Sequence, residues 1–369
     1  DVKPMKHYPK AMTLIEMIFL VAISAIALIL MMPLVLNSRE KSRSASCQLN
    51  LQQIASAANQ YEVATGYFPA SFFWSVIPGQ NASEASLASG HGPLVAILPF
   101  LEKSFLYHSI NFDHNIHSVV NTSVCSFQVN QFYCPSDSQI RTYSQLTDTT
   151  LVGPHPKSGK HLMAKSSYAA VAGPWVVNTW KISEMGQGER SNYQEVIRNQ
   201  LGMFNISSFI KLEQVTDGTA STLMFGEHSL EFIPFEKHND IFWWVSGNHG
   251  DTLLSTMFPI NSWKHDLMPE IIALSASSSH AISANFAFAD GSVRPIRETI
   301  GTMSFKPNPK KLFDPGPAHA QLWAVPSVDP YVVGPDPFWD TIFKLRPGER
   351  FGLYQALSTR AGGEWIGSY

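Results

Sequence analysis

The sequence predicts an α+β protein in which one long N-terminal helix, half apolar and half amphipathic, packs on an antiparallel β-sheet head with long loop insertions. Three observations lead there. From Met12 to Leu36 the chain carries a single charge, Glu16, in about 25 residues, the length of a bilayer-spanning helix. Over residues 37–65 apolar side chains recur at helical spacing. After Gly66 short apolar runs alternate with Gly, Pro, Ser and Asn, the pattern of strands and turns.

Composition narrows the class. A chain of 369 residues holds two ordinary domains or one large one with insertions. With 26 Lys+Arg against 29 Asp+Glu the net charge is -3, so no basic surface is available for nucleic acid, which is not an expected partner. Charged residues make up only 15%, while 24 prolines, 23 phenylalanines and 9 tryptophans point to a loop-rich fold with a large aromatic core rather than to disorder. The 3 cysteines are too few for a disulfide scaffold and lack the short paired spacing of a zinc site. One disulfide and one free thiol fit them, pairing either Cys125 with Cys134 or Cys47 with Cys134. No metal and no cofactor are expected.

Lys3, Lys6 and Lys10 precede the apolar run, which keeps residues 1–11 on the cytoplasmic side and sends the rest outward. A secretory signal peptide would have a shorter apolar core with its small-residue cleavage site after it, whereas Ala11 comes before. A plain signal anchor satisfies hydropathy alone. Glu16 asks for more, because an ionisable group in a membrane segment is costly and marks a functional partner. Beyond the membrane segment of residues 12–36, Cys47, Leu51, Ile54, Ala58 and Tyr61 form an apolar stripe, and Arg39, Glu40, Lys41 and Arg43 mark the membrane interface. The helix is expected to run to about Ala64 and stop at Gly66, a rod of roughly 75 Å at ~1.5 Å per residue.

The segment Lys10-Ala11-Met12-Thr13-Leu14-Ile15-Glu16 resembles the class III prepilin signal of type IV pilins and type II secretion pseudopilins. That resemblance implies a leader over residues 1–11, cleavage between Ala11 and Met12 by a prepilin peptidase, and methylation of the new N-terminus. Glu16 becomes the fifth mature residue, where these families carry glutamate, and Pro33 falls where pilins carry a helix-kinking proline. Alanine before the cut departs from the usual glycine. The implied role of Glu16 is assembly: at apolar depth its carboxylate pairs with the N-terminal amine of a neighbouring subunit and sets the register. Pro33 removes one hydrogen bond and allows a bend or a melted stretch.

In the head, residues 66–369, insertions are expected at about 228–279 and 301–350. PLVAILPFLEKSFLY, from Pro93 to Tyr107, reads as a short helix broken near Pro99. Asn285 to Ala289, then Asp290-Gly291, then Ser292 to Arg294 predicts a hairpin with a type I′ turn. Asp217-Gly218 turns into a second strand, Ser221 to Phe225. The loop from Ile233 to Pro269, with His238, His249 and His265 beside Trp243, Trp244 and Trp263, reads as a surface insertion for partner contact or sugar stacking. The prolines from Lys306 to Arg350 make an irregular excursion packed on the head through Trp323, Phe338 and Trp339. The closing segment, Phe351 to Ile366, is expected to return to the sheet.

Cys134-Pro135-Ser136-Asp137, Ser167-Tyr168-Ala169, Val215 to Thr219 with Gly226-Glu227, His280 followed by Asp290-Gly291, and Thr359 to Glu364 extend the resemblance. They resemble a large bacterial family of prepilin-like proteins with a C-terminal His-x9-Asp-Gly domain and unassigned function. Ala281-Ile282-Ser283 stand where that family commonly has glycines after the histidine.

His280, Asp290, Gly291 and Glu227 are the candidate structural or binding motif of the head, and a catalytic or metal role for them competes with a structural one. Asp137 caps a turn or helps bind calcium, as loop carboxylates do in some pseudopilin heads. No complete catalytic constellation is present, so no enzyme is expected. The pilin resemblance implies a structural subunit of a type IV pilus or type II secretion-like filament. Its partners would be a prepilin peptidase, like subunits or other pilins, an inner-membrane assembly platform and the lipid bilayer. It would sit in the inner membrane by one helix with a periplasmic head, or in a surface filament after assembly. The competing reading is a membrane-tethered binding module that never polymerises and uses aromatic head loops on a polysaccharide or protein partner.

Overall fold

Helix α1, Leu14–Thr65, is 52 residues long and about 78 Å from end to end. The computed structural model describes residues 12–73, 90–146, 161–175, 200–205, 209–239, 241–265, 269–280, 282–303, 322–325, 342–345 and 350–363. Thr13, in extended geometry, opens α1 with a capping box, and Gly66 closes it in the left-handed region at φ 83°, donating its N–H to Glu62 O at 2.7 Å. A left-handed residue is what glycine supplies without a Cβ penalty, so the expected stop is met for its expected reason. The helix continues without interruption through Pro33.

The two halves of α1 have opposite surroundings. Large apolar side chains from Leu14 to Leu36 stand exposed, and this is the one helix among the described residues long and apolar enough to cross a membrane. From Cys47 onward one face is buried: Cys47, Leu51, Ile54, Ala55, Ala57 and Ala58. The predicted stripe is therefore present, with Ala55 and Ala57 added to it. Burying Leu51 and Ile54 stabilises the joint by roughly 2 kcal/mol each.

Among the described residues nine strands follow in chain order. β1 (Ser144–Leu146) pairs antiparallel with β2 (His161–Met163). The central sheet contains β3 (Tyr168–Val171), β4 (Leu223–Glu227), β5 (Leu253–Leu254), β6 (Ser283–Phe288) and β7 (Val293–Arg297), in the order β5-β3-β4-β6-β7. All its pairings are antiparallel except β3 with the edge strand β5. β8 (Leu322–Val325) and β9 (Ile342–Leu345) form a further antiparallel pair.

Alternation along the strands sends two apolar sets to two faces. Tyr168, Ala170, Met224 and Ala287 join the α1 side with Phe132, Trp243 and Trp244. Ala169, Val171, Leu223, Phe286 and Phe288 join the other side with Tyr354 and Leu357. Because both faces are covered, β3 and β4 are buried at every position.

Several expectations change here. The segment from Ile233 to Pro269 is not a surface insertion: Phe242, Trp243 and Trp244 are core residues, and Leu253–Leu254 is a strand of the sheet. Trp243 and Trp244 therefore form no surface aromatic patch, since large rings gain more from burial than a solvated loop would offer. Trp263 alone is half-exposed, stacked on Phe232 at 4.1 Å. Phe351 onward does not rejoin the sheet over its described part. It forms the short helix Leu353–Ala356, which seats Tyr354 edge-on against Phe286 and covers the face that α1 leaves open. In the proline-rich stretch the described residues pair as β8 and β9, with Trp323 on β8, while Phe338, Trp339 and Ile366 lie outside the described residues.

The β6–β7 hairpin is present, but its turn is not type I′. Gly291 N–H reaches Phe288 O at 2.9 Å and Phe288 N–H reaches Ser292 O at 2.9 Å, closing a three-residue loop with Gly291 alone at positive φ, 84°. This is the turn-plus-bulge solution, which needs one left-handed residue instead of two. The helix near Pro99 breaks as expected into Pro93–Ala96, a 3-10 turn Leu98–Leu101 and Ser104–His108.

Candidate functional site

Among the membrane-segment candidates, Ala11 and the rest of the leader lie outside the described residues. Met12 is exposed, two residues ahead of the first residue of α1. Glu16 occupies the third position of the helix, where its Oε2 accepts Thr13 N–H at 2.8 Å and Thr13 Oγ1–H at 3.0 Å, and Thr13 Oγ1 accepts Glu16 N–H at 3.4 Å. The carboxylate therefore has a structural task within its own chain. That signal, Thr-x-x-Glu ahead of an apolar run, stood in the sequence at Thr13 and Glu16.

The head candidates converge on α1. Cys47, at the start of the buried stripe, is disulfide-bonded to Cys134 across 87 residues, with the Cα atoms 5.2 Å apart. Of the two pairings the sequence allowed, the long-range one forms. Cys125 is a buried free thiol that donates to Ile116 O at 3.1 Å, and burial pushes it up to about 12.

Beside the disulfide lies His280. Its Nδ1 is 2.6 Å from Glu40 Oε1, and its Nε2 is 3.5 Å from Glu227 Oε1 and 3.8 Å from Cys134 Sγ. Burial works against a charge on this ring, but Glu227 and then Glu40 outweigh it and raise His280 to about 9, so at neutral pH it is an imidazolium between two carboxylates. Glu227, at the end of β4, is fixed by Ser278 Oγ at 2.7 Å, Asn285 N–H at 2.8 Å and Asn285 Nδ2 at 2.9 Å. Glu40 also accepts from Ser136 Oγ at 3.1 Å.

Further bonds from α1 widen the joint: Gln48 Nε2 donates to Asn285 Oδ1 at 3.0 Å and Asn50 Nδ2 donates to Tyr133 O at 2.9 Å. One disulfide, one ion-pair cluster and two side-chain hydrogen bonds thus hold α1 to the head. Sequence reading placed Glu40 only at the membrane interface. It lies seven residues before Cys47, and an acidic residue two turns up the stripe of an amphipathic helix was the available signal.

His280 and Asp290 do not share a site. Six residues of β6 separate them, so they sit at opposite ends of the strand, roughly 20 Å apart. Asp290 accepts Ser292 N–H at 2.9 Å within its turn. Asp137 is buried, with Oδ2 accepting Leu230 N–H at 2.9 Å and Oδ1 accepting Gln139 N–H at 3.2 Å, and burial pushes its carboxyl up to about 6. Its hydrogen bonds are those of a turn cap. A third meeting point joins distant motifs: Asp217 accepts Thr359 Oγ1 at 3.0 Å, Gly362 N–H at 2.6 Å and Gly363 N–H at 2.9 Å. Arg360 donates to Gln200 O and Gly202 O, both at 2.7 Å.

No curated protein and no solved structure matches the chain. A family model does, over residues 37–302, a span that includes Glu40, Cys47, Cys134, Glu227, His280 and the Asp290-Gly291 turn. Because that match covers well over half of the chain, the protein belongs to the family described as "Protein of unknown function (DUF1559)".

Proposed function

We propose that this protein is a structural, non-catalytic subunit of a type IV pilus or type II secretion-like filament. In this reading a prepilin peptidase cuts between Ala11 and Met12, and the subunit assembles through α1. The observation that carries it is the division of labour along one helix. The half from Glu40 onward is locked to the head by a disulfide and the His280 cluster, while the half from Leu14 to Leu36 stands exposed with a surface that is apolar apart from Glu16 and Ser24. Such a surface is covered by lipid before assembly and by the helices of other subunits after it. Removing α1 from the membrane is then a rigid-body movement of helix and head together. Pro33 lies within the exposed half, where its missing N–H leaves Ile29 O without its helical partner and lowers the cost of a bend there.

The non-catalytic part of the proposal is supported by the separation of His280 from Asp290 and by the hydrogen bonds that occupy Asp290, Asp137 and Glu227 in the fold. A tether with aromatic head loops is the less favoured reading, since Trp243 and Trp244 are buried.

Filament shearing followed by mass spectrometry of the N-terminal peptide tests the proposal. A methylated N-terminus at Met12 in sheared filaments is the expected result. An intact leader, or a processed chain recovered only as monomer from the membrane, overturns it.

A further inference from the structure

The disulfide that staples α1 to the head lies among other metal-binding groups. Cys47, Cys134, Glu227 and His280 are all buried, and one ligand atom from each lies within 4.8 Å of the others. A tetrahedral zinc site, with bonds of about 2.3 Å to sulfur and about 2.0 Å to nitrogen or oxygen, places its donor atoms about 3.3–3.8 Å apart. Two edges already have that length: His280 Nε2 to Glu227 Oε1 at 3.5 Å and His280 Nε2 to Cys134 Sγ at 3.8 Å.

The surroundings have the organisation of a metal centre. Glu40 holds the Nδ1 side of the His280 ring at 2.6 Å, which aims Nε2 at the sulfurs, as outer-shell carboxylates do for metal-binding histidines. Glu227 is held in place by Ser278 and Asn285. Soft thiolates with one imidazole select zinc-class ions over calcium or magnesium.

We propose that, once the Cys47–Cys134 disulfide is reduced, these two sulfurs, His280 Nε2 and a Glu227 oxygen form a site for a zinc-class divalent cation that takes over the staple between α1 and the head. The chemistry balances. A dithiol reductant gives two electrons and two protons to the S–S bond, leaving two thiols and its own disulfide. The cation then displaces one proton from each thiol and one from the His280 ring. Opening the S–S bond lets the sulfur–sulfur edge widen from bonding distance to ligand spacing, and the ligand atoms all lie within 4.8 Å of one another already. The joint would accordingly exist in two forms, covalent when oxidised and metal-bridged when reduced.

The test uses the full-length chain in detergent, in a Cys125→Ala background so that only two thiols are counted. Zinc and cobalt are added to the oxidised and the anaerobically reduced protein against a chromophoric chelator. The expected result is one zinc per reduced chain and none per oxidised chain, with a thiolate-to-cobalt charge-transfer band. His280→Gln, Glu227→Gln and Glu40→Gln, which keep both thiols, should each weaken zinc binding roughly 10–100-fold. The proposal is overturned if the reduced protein, with both thiols titratable, binds zinc no better than the Cys47→Ser/Cys134→Ser chain, or if His280→Gln leaves affinity unchanged. Reduced chain that unfolds should regain its native tryptophan fluorescence on adding zinc, and failure to do so also overturns it.

Discussion

Replacing Cys47 or Cys134 by Ser removes a cross-link between residues 87 apart. Loop-closure entropy for a span of that length corresponds to about 4.6 kcal/mol at 25 °C, because the cross-link restricts the unfolded chain far more than the folded one. The disulfide is buried and sits where Leu51 and Ile54 begin the helix–sheet contact, so no solvent-exposed slack offsets the loss. Urea unfolding of the full-length chain in detergent, followed by the fluorescence of the buried Trp243 and Trp244, reads the effect directly. With an unfolding slope near 3 kcal/mol per molar urea, the midpoint should fall by roughly 1.5 M. Cys47→Ser, Cys134→Ser and treatment with a chelator plus reductant should all give the same fall, since each opens the same loop, and Cys125→Ala should leave the cross-link intact. A fall below about 1 kcal/mol in the single variants, or alkylation of Cys47 in the unreduced protein, would refute the reasoning.

Acid should destabilise the head. Burial holds His91, His228 and His249 down at about 3 and His117 at about 4, against 6.5 in the unfolded chain, so the stability they contribute is complete above pH 6.5 and is lost as pH falls below it. Asp137 and Asp251, raised by burial to about 6 and about 7, act in the opposite sense and cancel two of the four protons. A net loss of roughly 3 kcal/mol per pH unit between about pH 6 and 4 is expected, and a flat profile of urea midpoints over that range contradicts it. Glu16→Gln keeps a capping-box acceptor while removing the charge, whereas Thr13→Ala should weaken the start of α1 by about 1 kcal/mol. If charge pairing guides assembly, Glu16→Gln abolishes filaments without altering helix content by circular dichroism. Gly291→Ala should cost about 1 kcal/mol because φ there is 84°, and Asp290→Ala a similar amount through the lost bond to Ser292, with no effect on the distant His280 cluster when its proton resonance is titrated.

Much of α1 was legible because its signals are local. The apolar run, the stripe from Cys47 to Tyr61 and the stop at Gly66 depend on periodicity and on the conformational freedom of one glycine, and both act within a few residues. The β6–β7 hairpin was legible for the same reason. Its turn type was not, because Asp-Gly serves a two-residue and a three-residue loop equally well, and the pairing of Phe288 with Ser292 chooses between them.

The tryptophans of the segment from Ile233 to Pro269 were misread for a different reason. Histidine and glycine among aromatic residues look like a solvated loop, and only the position of β5 at the edge of the sheet shows that Trp243 and Trp244 face the core. The closing segment was misread as a strand because a four-residue helix has too short a pattern to declare itself. In the candidate site, His280, Glu227 and the cysteines could be named singly, but no spacing along the chain announced that they meet.

By itself, then, the sequence determined the helix, its apolar and amphipathic halves, its end and the presence of antiparallel strands in the head, all through interactions that reach no further than a turn or two. The tertiary structure decided which cysteine pairs with Cys134. It decided also that Glu40 and Glu227 close on His280 from α1 and β4, that Asp290 stands at the far end of β6, and that Asp217 gathers the C-terminal glycines. Those contacts join residues up to 240 positions apart. Their partners are selected by how α1 crosses the sheet and not by any local preference, because only the packed core fixes which distant backbones come within reach of a side chain.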